Sequence, residues 1–278
     1  MFRNGRGGRA VALVLLTLFT LGPAAGCVRG EGDVLNISGS STVLPVVTAA
    51  AEAYQEINPG LKVGVQGGGS SAGIEAAITG ASQIGTSSRD LKGNETEQGL
   101  YDTVIAIDAI AIIINPANKV SRLSKKQVKD IFTGKTTNWK EVGGQDLPIV
   151  LINRDEASGT REAFYRKALD ESAFSKDAVV QPGSGQVRSI VGSTPAAIGY
   201  MSLGYVTKDV KVIEYDGAVP NKTTLKKGTY KLQRQLHFFT KGKPTGDAKA
   251  FTDFMLSDYV QSTIVSVEFM PVTAIGQK

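Results

Sequence analysis

From Val34 onward the chain alternates short apolar runs with amphipathic stretches, and the two periods separate cleanly. Val34 to Ile37 predicts a strand, followed by Gly39-Ser40-Ser41-Thr42 and an amphipathic helix from Pro45 to about Ile57; proline suits a first helical turn because its missing N–H is not needed there. Lys62 to Val65 predicts a second strand, with a helix near Gly73 to Thr79, and Gln83 to Thr86 a third. All three strands end in small hydroxyl residues.

The continuous apolar stretch from Val104 to Ile114, closed by Asn115-Pro116, predicts a buried strand pair. Ser124 and Gln127 have the spacing of a capping box ahead of a helix carrying Ile131 and Phe132. Leu147 to Asn153 predicts a strand, Arg161 to Leu169 a helix, and Tyr230 to Thr240 an extended segment with alternating apolar positions. Helices are expected around Ala248 to Leu256 and Tyr259 to Val265. The strand, short loop, helix order predicts an α/β fold with largely parallel sheets.

The N-terminus differs in composition. Arg3, Arg6 and Arg9 precede a twelve-residue, almost wholly apolar run from Ala10 to Leu21, and Ala24-Ala25-Gly26 lead into Cys27. Such a run is too short for a membrane-spanning helix, which needs about 20 residues, and fits a secretion signal over residues 1–26. Cys27 is the only cysteine, so no disulfide forms within the chain. The segment resembles a bacterial lipobox, which implies cleavage before Cys27 and a diacylglyceryl group on its sulfur; Ala24 stands where the lipobox usually has Leu. Residues 27–33 would then be a lipidated cysteine and tether. Removing Arg3, Arg6 and Arg9 from the 31 basic residues leaves 28 against 26 acidic, a net +2. Most of these charges are interspersed, so the basic pI points to no nucleic-acid partner.

Four loops share one chemistry: Ser38-Gly39-Ser40-Ser41-Thr42, Gly67-Gly68-Gly69-Ser70-Ser71, Thr86-Ser87-Ser88-Arg89 and Ala157-Ser158-Gly159-Thr160-Arg161. Three lead straight into a helix, whose free N–H groups and positive dipole end favour an anion. A single loop of this kind is an ordinary capped turn; four at the carboxyl ends of strands describe a ligand site. Arg154 just before the fourth loop is the candidate charge contact, because a guanidinium grips an oxyanion with two hydrogen bonds. Glu156 is placed to hold it.

Other motifs compete. Gly69-Ser70-Ser71-Ala72-Gly73 satisfies the nucleophile-elbow spacing, which makes a serine hydrolase using Ser71 and the sole histidine, His237, an alternative. His237 falls inside a strand-like stretch, however, and a hydrolase leaves three loops unexplained. Gly134-Lys135-Thr136 lacks the earlier glycine of a Walker A loop, Lys129 standing there. One cysteine and one histidine supply no zinc tetrad, and no cofactor is expected.

Ser41-Thr42-Val43-Leu44-Pro45, Gly69-Ser70-Ser71-Ala72-Gly73, Ile131-Phe132-Thr133-Gly134 through Trp139, Arg154 with Ser158-Gly159-Thr160, and Pro195-Ala196-Ala197-Ile198-Gly199-Tyr200 together resemble the periplasmic phosphate-binding proteins of phosphate-specific ABC transporters. The likeness runs from about Leu35 to Phe269. It implies a two-lobed periplasmic-binding-protein fold of type II, with mixed sheets flanked by helices and a ligand cleft between lobes built from 34–113 plus 237–278 and from 114–236. Hinge strands would lie near Ile112 to Asn115 and Leu236 to Phe239. By the same resemblance inorganic phosphate would meet Ser41, Thr42, Val43 and Leu44, Ser70, Ser88, Arg154, and Ser158, Gly159 and Thr160. Ser88 departs from the pattern, since many members have there an aspartate that accepts the proton of phosphate. The implied protein is a monomeric binding protein, not an enzyme, lipid-anchored in the periplasm or at the cell surface, with a membrane permease as partner. A binding protein for sulfate or molybdate is the nearest alternative.

Overall fold

The computed structural model describes residues 34–275; the expected signal, Cys27 and the tether lie outside the described residues. Strand β1 (Val34–Gly39) leads through the first hydroxyl loop into helix α1 (Leu44–Ile57), β2 (Lys62–Gly67) into α2 (Ser70–Thr79), and β3 (Ile84–Ser87) into the third loop. Then come β4 (Leu100–Ile114), β5 (Arg122–Leu123), α3 (Lys125–Phe132), β6 (Val150–Arg154), α4 (Gly159–Leu169), β7 (Val179–Gln181), α5 (Ser184–Ser193) and β8 (Ala197–Ser202). The chain closes with β9 (Lys211–Val212), β10 (Glu214–Tyr215), α6 (Lys222–Lys226), β11 (Gln233–Lys241) and α7 (Gly246–Leu256). Among the described residues no helix is long and apolar enough to cross a membrane.

The main sheet runs β2-β1-β3-β11-β4-β8-β6-β7, with β9 beside β4. It is parallel at both ends, where β1 lies between β2 and β3 and β6 between β7 and β8. Its middle is antiparallel, through β3-β11-β4-β8. The strand, loop, helix order predicts largely parallel sheets and the family resemblance a mixed one, and the sheet is mixed: β11 returns from far along the chain and inserts antiparallel between β3 and β4, and β4 pairs antiparallel with β8.

The apolar stretch expected as a strand pair is one fifteen-residue strand, β4. No turn residue interrupts it, and it serves two neighbours in succession: β11 over Leu100 to Ala109, then β8 over Ile110 to Ile114. Both its faces are covered beyond that switch. Ile110, Ile112 and Ile114 pack with Val128, Phe132, Phe164 and Tyr200, whereas Ala111 and Ile113 pack with Ile152, Val187 and Val191. A strand buried on both faces shows no alternation, which is why its sequence reads as continuous. A separate core joins Leu35 and Ile37 of β1, Val47 and Tyr54 of α1, Phe238 of β11, and Phe251 and Met255 of α7.

Local signals set the helix starts. The Ser124–Gln127 capping box closes reciprocally on α3. The last expected helix is present but irregular: 258–268 is helical with a π-helical stretch over Gln261–Val265. Gln261 accounts for it, because its buried amide donates to the carbonyls of Ile105 and Met255 and accepts from the Val272 N–H.

Candidate functional site

The sheet topology brings all four loops together. The side chain of Arg154 leaves the end of β6, where the parallel partner Gln181 of β7 lies alongside. Its position is fixed from behind: the Arg154 N–H donates to Asn153 Oδ1 at 2.8 Å, and the Tyr200 hydroxyl donates to the same oxygen. Tyr200 in turn stacks on Phe164 of α4 with centroids 4.0 Å apart. The guanidinium is almost wholly buried and donates to the carbonyls of Gln181 (3.1 Å) and Pro182 (2.9 Å) and to Ser41 Oγ (3.3 Å). Burial pulls its pKa down from the ordinary arginine value.

Glu156 does not hold Arg154. It is exposed, and among the described residues no carboxylate lies within ion-pair distance of the guanidinium. Carbonyls and hydroxyls position the cation instead, so its charge stays uncompensated by an ion pair. Such a group in a dry site is costly unless an anion meets it.

Loop 1 faces Arg154 and loop 4. Thr42 Oγ1 lies 3.1 Å from Thr160 Oγ1, and Tyr205 donates to the Ser41 carbonyl; burial pushes the Tyr205 phenol up to about 12. The amides of Val43 and Leu44 both close on the Ser40 carbonyl at 3.1 Å. The hydroxyls of Ser41 and Thr42 are therefore this loop's contribution across the gap. Helix α1 follows Val43 at its N-cap position, without a side-chain cap.

Loops 2, 3 and 4 converge on one point. Ser70 opens α2, also without a side-chain cap, and its Oγ accepts the Ser88 N–H at 3.0 Å and lies 3.3 Å from Ser88 Oγ. Gly159 opens α4 behind Ser158, whose Oγ caps the Arg161 N–H. Each crossing needs a glycine. At Gly69, with φ +95°, a Cβ would fall 2.8 Å from the Ala157 carbonyl oxygen, and one at Gly159 would fall 2.3 Å from Ser70 Oγ. The first-turn amides of Ser70, Gly159 and Thr160 have no acceptor among the described residues. Unpaired N–H groups at adjoining helix N-termini make a site for oxyanions.

The alternative pairing is not formed. Ser71 Oγ accepts from Arg89 Nη2 at 3.1 Å, and Arg89 forms a two-pronged ion pair with Glu95. His237 engages Asp102 through Nδ1 at 2.8 Å and lies 3.2 Å from Asp90 through Nε2. Nucleophile and base would have to be hydrogen-bonded to each other for hydrolysis, and these two have separate partners. No group of three or more His, Cys, Asp and Glu gathers as a metal site among the described residues.

Two residues at the site escaped the sequence reading. Arg234 of β11 is buried and donates to Thr42 Oγ1 at 3.3 Å and to the Ser88 carbonyl at 3.2 Å, while Asp108 of β4 receives its other hydrogen bonds. A charged residue within each apolar strand was the available signal.

The chain matches the family model for the PBP superfamily domain over residues 23–259. It is 41% identical to the phosphate-binding protein PstS of Bacillus subtilis, covering 86% of this chain and 81% of that one. It is 30% identical to that of Borreliella burgdorferi, covering 94% and 98%. Among solved structures it resembles a Clostridium perfringens chain described as a phosphate ABC transporter substrate-binding protein with bound phosphate, at 39% identity and a TM-score of 0.83, covering 86% of this chain and all of that one. An ABC-type phosphate transport receptor from Vibrio cholerae follows at 32% identity and a TM-score of 0.73, covering 86% and 99%. A match of this length, over a fold that gathers the four hydroxyl loops around a buried arginine, shows that the chain belongs to the PBP superfamily and, within it, to the family of phosphate-binding proteins PstS.

Proposed function

We propose that this chain is an extracytoplasmic solute-binding protein that captures inorganic phosphate and delivers it to an ABC-type importer. The observation that carries the reading is the buried Arg154 guanidinium, free of any carboxylate partner and set among loops whose first-turn amides at Ser70, Gly159 and Thr160 are unpaired. Phosphate would take hydrogen bonds from Arg154, from the hydroxyls of Ser41, Thr42, Ser70, Ser88, Ser158 and Thr160, and from these amides. The backbones of Val43 and Leu44 would join once Ser40 releases them. The relatives' names, and the phosphate in the Clostridium perfringens structure, support the same ligand.

The reading takes 34–113 with 237–278 as one lobe and 114–236 as the other, meeting along β4 and β11. Hydrogen bonds from Arg154 to Ser41, from Tyr205 to the Ser41 carbonyl and from the Ser71 N–H to the Ala157 carbonyl would then be the contacts that close the cleft. The protein would act as a monomer held to the membrane by a lipid on Cys27, supported by the signal-like segment before it. Fractionation of Cys27→Ser tests the anchor, which is wrong if the variant stays with membranes. Calorimetric titration of the soluble chain from Gly30 onward with phosphate, sulfate, arsenate and molybdate tests the ligand. Saturable one-to-one binding led by phosphate is expected; no phosphate heat, with another oxyanion bound, would overturn it.

A further inference from the structure

In the antiparallel pairing of β4 with β11, Arg234 sits directly opposite Asp108. The carboxylate is enclosed. It accepts from Arg234 Nη2 at 2.8 Å and Nε at 3.1 Å, and from the Ser202 hydroxyl at 2.9 Å. Burial raises the Asp108 pKa and lowers that of Arg234, so each charge depends on the other. A buried ion pair is generally no more stabilising than well-packed apolar side chains of the same size. Holding two strands together therefore does not explain this pair by itself.

What distinguishes Arg234 is where its remaining hydrogens go. Nη1 donates to the Ser88 carbonyl and Nη2 to Thr42 Oγ1, so one guanidinium spans the first and third loops. A guanidinium only donates. Thr42 Oγ1 must then accept from it, which leaves the Thr42 hydroxyl hydrogen to point away, toward Thr160 Oγ1 or an anion. With Asp108 gripping the far edge, the pair turns its positive end to the loops.

We propose that Arg234, oriented by Asp108, is a second cationic determinant of the oxyanion site: a positioning residue that makes Thr42 a hydroxyl donor, holds the Ser88 loop, and adds its field to that of Arg154. The proposal rests on the phosphate-binding reading and deepens it. In a site where serine replaces the usual carboxylate acceptor, affinity then depends on two guanidinium groups.

The test compares wild type, Arg234→Gln, Arg234→Lys and the double variant Asp108→Asn with Arg234→Gln. Each is measured for thermal stability without ligand and for phosphate affinity by calorimetry. Arg234→Gln strands a buried carboxylate and is expected to lose stability as well as affinity. The double variant removes both charges and is expected to regain stability while still binding phosphate at least about tenfold more weakly than wild type, a loss of about 1.4 kcal/mol. Arg234→Lys should recover part of the affinity. A double variant with wild-type affinity would show that the pair only braces the strands and would overturn the proposal. The double variant carries the test if Arg234→Gln does not fold. Should wild type bind sulfate or molybdate and not phosphate, the phosphate reading fails and Arg234 is read on that anion; binding of none of them sinks both.

Discussion

Gly159 at the start of α4 faces Ser70 at the start of α2 so closely that a Cβ on the glycine would fall 2.3 Å from Ser70 Oγ, 2.8 Å from Ser88 Oγ and 2.9 Å from Ser70 Cβ. Oγ atoms rotate away; the Ser70 Cβ does not, so the two loops must separate to admit a methyl group. Alanine is the better helix former, and the helix itself tolerates the change. Gly159→Ala is expected to leave the melting temperature of the unliganded protein within a few degrees of wild type and to weaken phosphate binding by about tenfold or more. Unchanged affinity by calorimetry would mean that the loops do not close on the ligand in this way.

Arg154 has carbonyl and hydroxyl partners and no ion pair. Arg154→Ala should therefore weaken phosphate binding by at least about 2 kcal/mol, the lower end of the cost of removing a buried charge partner. Arg154→Lys should recover only part of this, because an ammonium lacks the planar fork. Titration of both variants checks it; wild-type affinity in Arg154→Ala would place the anion elsewhere.

Selectivity is expected to turn on Ser88. Phosphate near neutral pH keeps a proton that sulfate lacks, and a fixed carboxylate acceptor would favour the first and repel the second. Ser88 Oγ is a rotatable hydroxyl beside Ser70 Oγ. Glu156 and Asp90 are exposed, and Asp108 is enclosed by Arg234 and Ser202. Phosphate is expected to bind better, with sulfate competing at high excess and Ser88→Asp sharpening the preference. Competition titrations decide it. Complete rejection of sulfate by wild type would require another acceptor, for which Asp155, whose Oδ1 is buried without a partner, is the candidate.

His237 lies buried between two carboxylates, Asp102 of β4 and Asp90 beyond the third loop, with Phe239 stacked on its ring at 5.3 Å. Burial opposes its charge, but the hydrogen bond to Asp102 and the nearby Asp90 carboxylate outweigh it and hold the pKa above the ordinary value of 6.5. Asp90 is held below the usual carboxylate value by His237, helped by Lys167 and Arg166. A raised histidine pKa means that the folded state binds the proton more tightly. The stabilisation is thus full below about 6.5 and is lost as pH rises through the folded value. On the acid side, the part owed to Asp90 fades as pH falls through its lowered pKa. Thermal unfolding of wild type and His237→Gln should show the largest difference near pH 6 or just below, shrinking as pH rises through the raised folded pKa. A difference that ignores pH would mean a neutral ring.

The α3 start, the hydroxyl loops and the glycines were legible in the sequence because they are local: a serine three residues before a glutamine caps α3 wherever it lies, whereas α2 and α4 open at Ser70 and Gly159, ahead of the expected Gly73 and Arg161, because their first turns are the loop residues themselves. Arg154 was legible as a charge next to such a loop. Its partners were not, since they come from residues 27 and 28 positions away and from Ser41 across the site, and the adjacent Glu156 points to solvent. The single strand β4 in place of a pair, the pairing of Asp108 with Arg234 over 126 positions and the separation of Ser71 from His237 follow from β11 inserting between β3 and β4. The hydrophobic pattern fixes which face of a strand is buried, but both edges of a central strand offer the same backbone hydrogen bonds. Only packing of the whole chain decides which neighbour takes each edge, and so which charges meet.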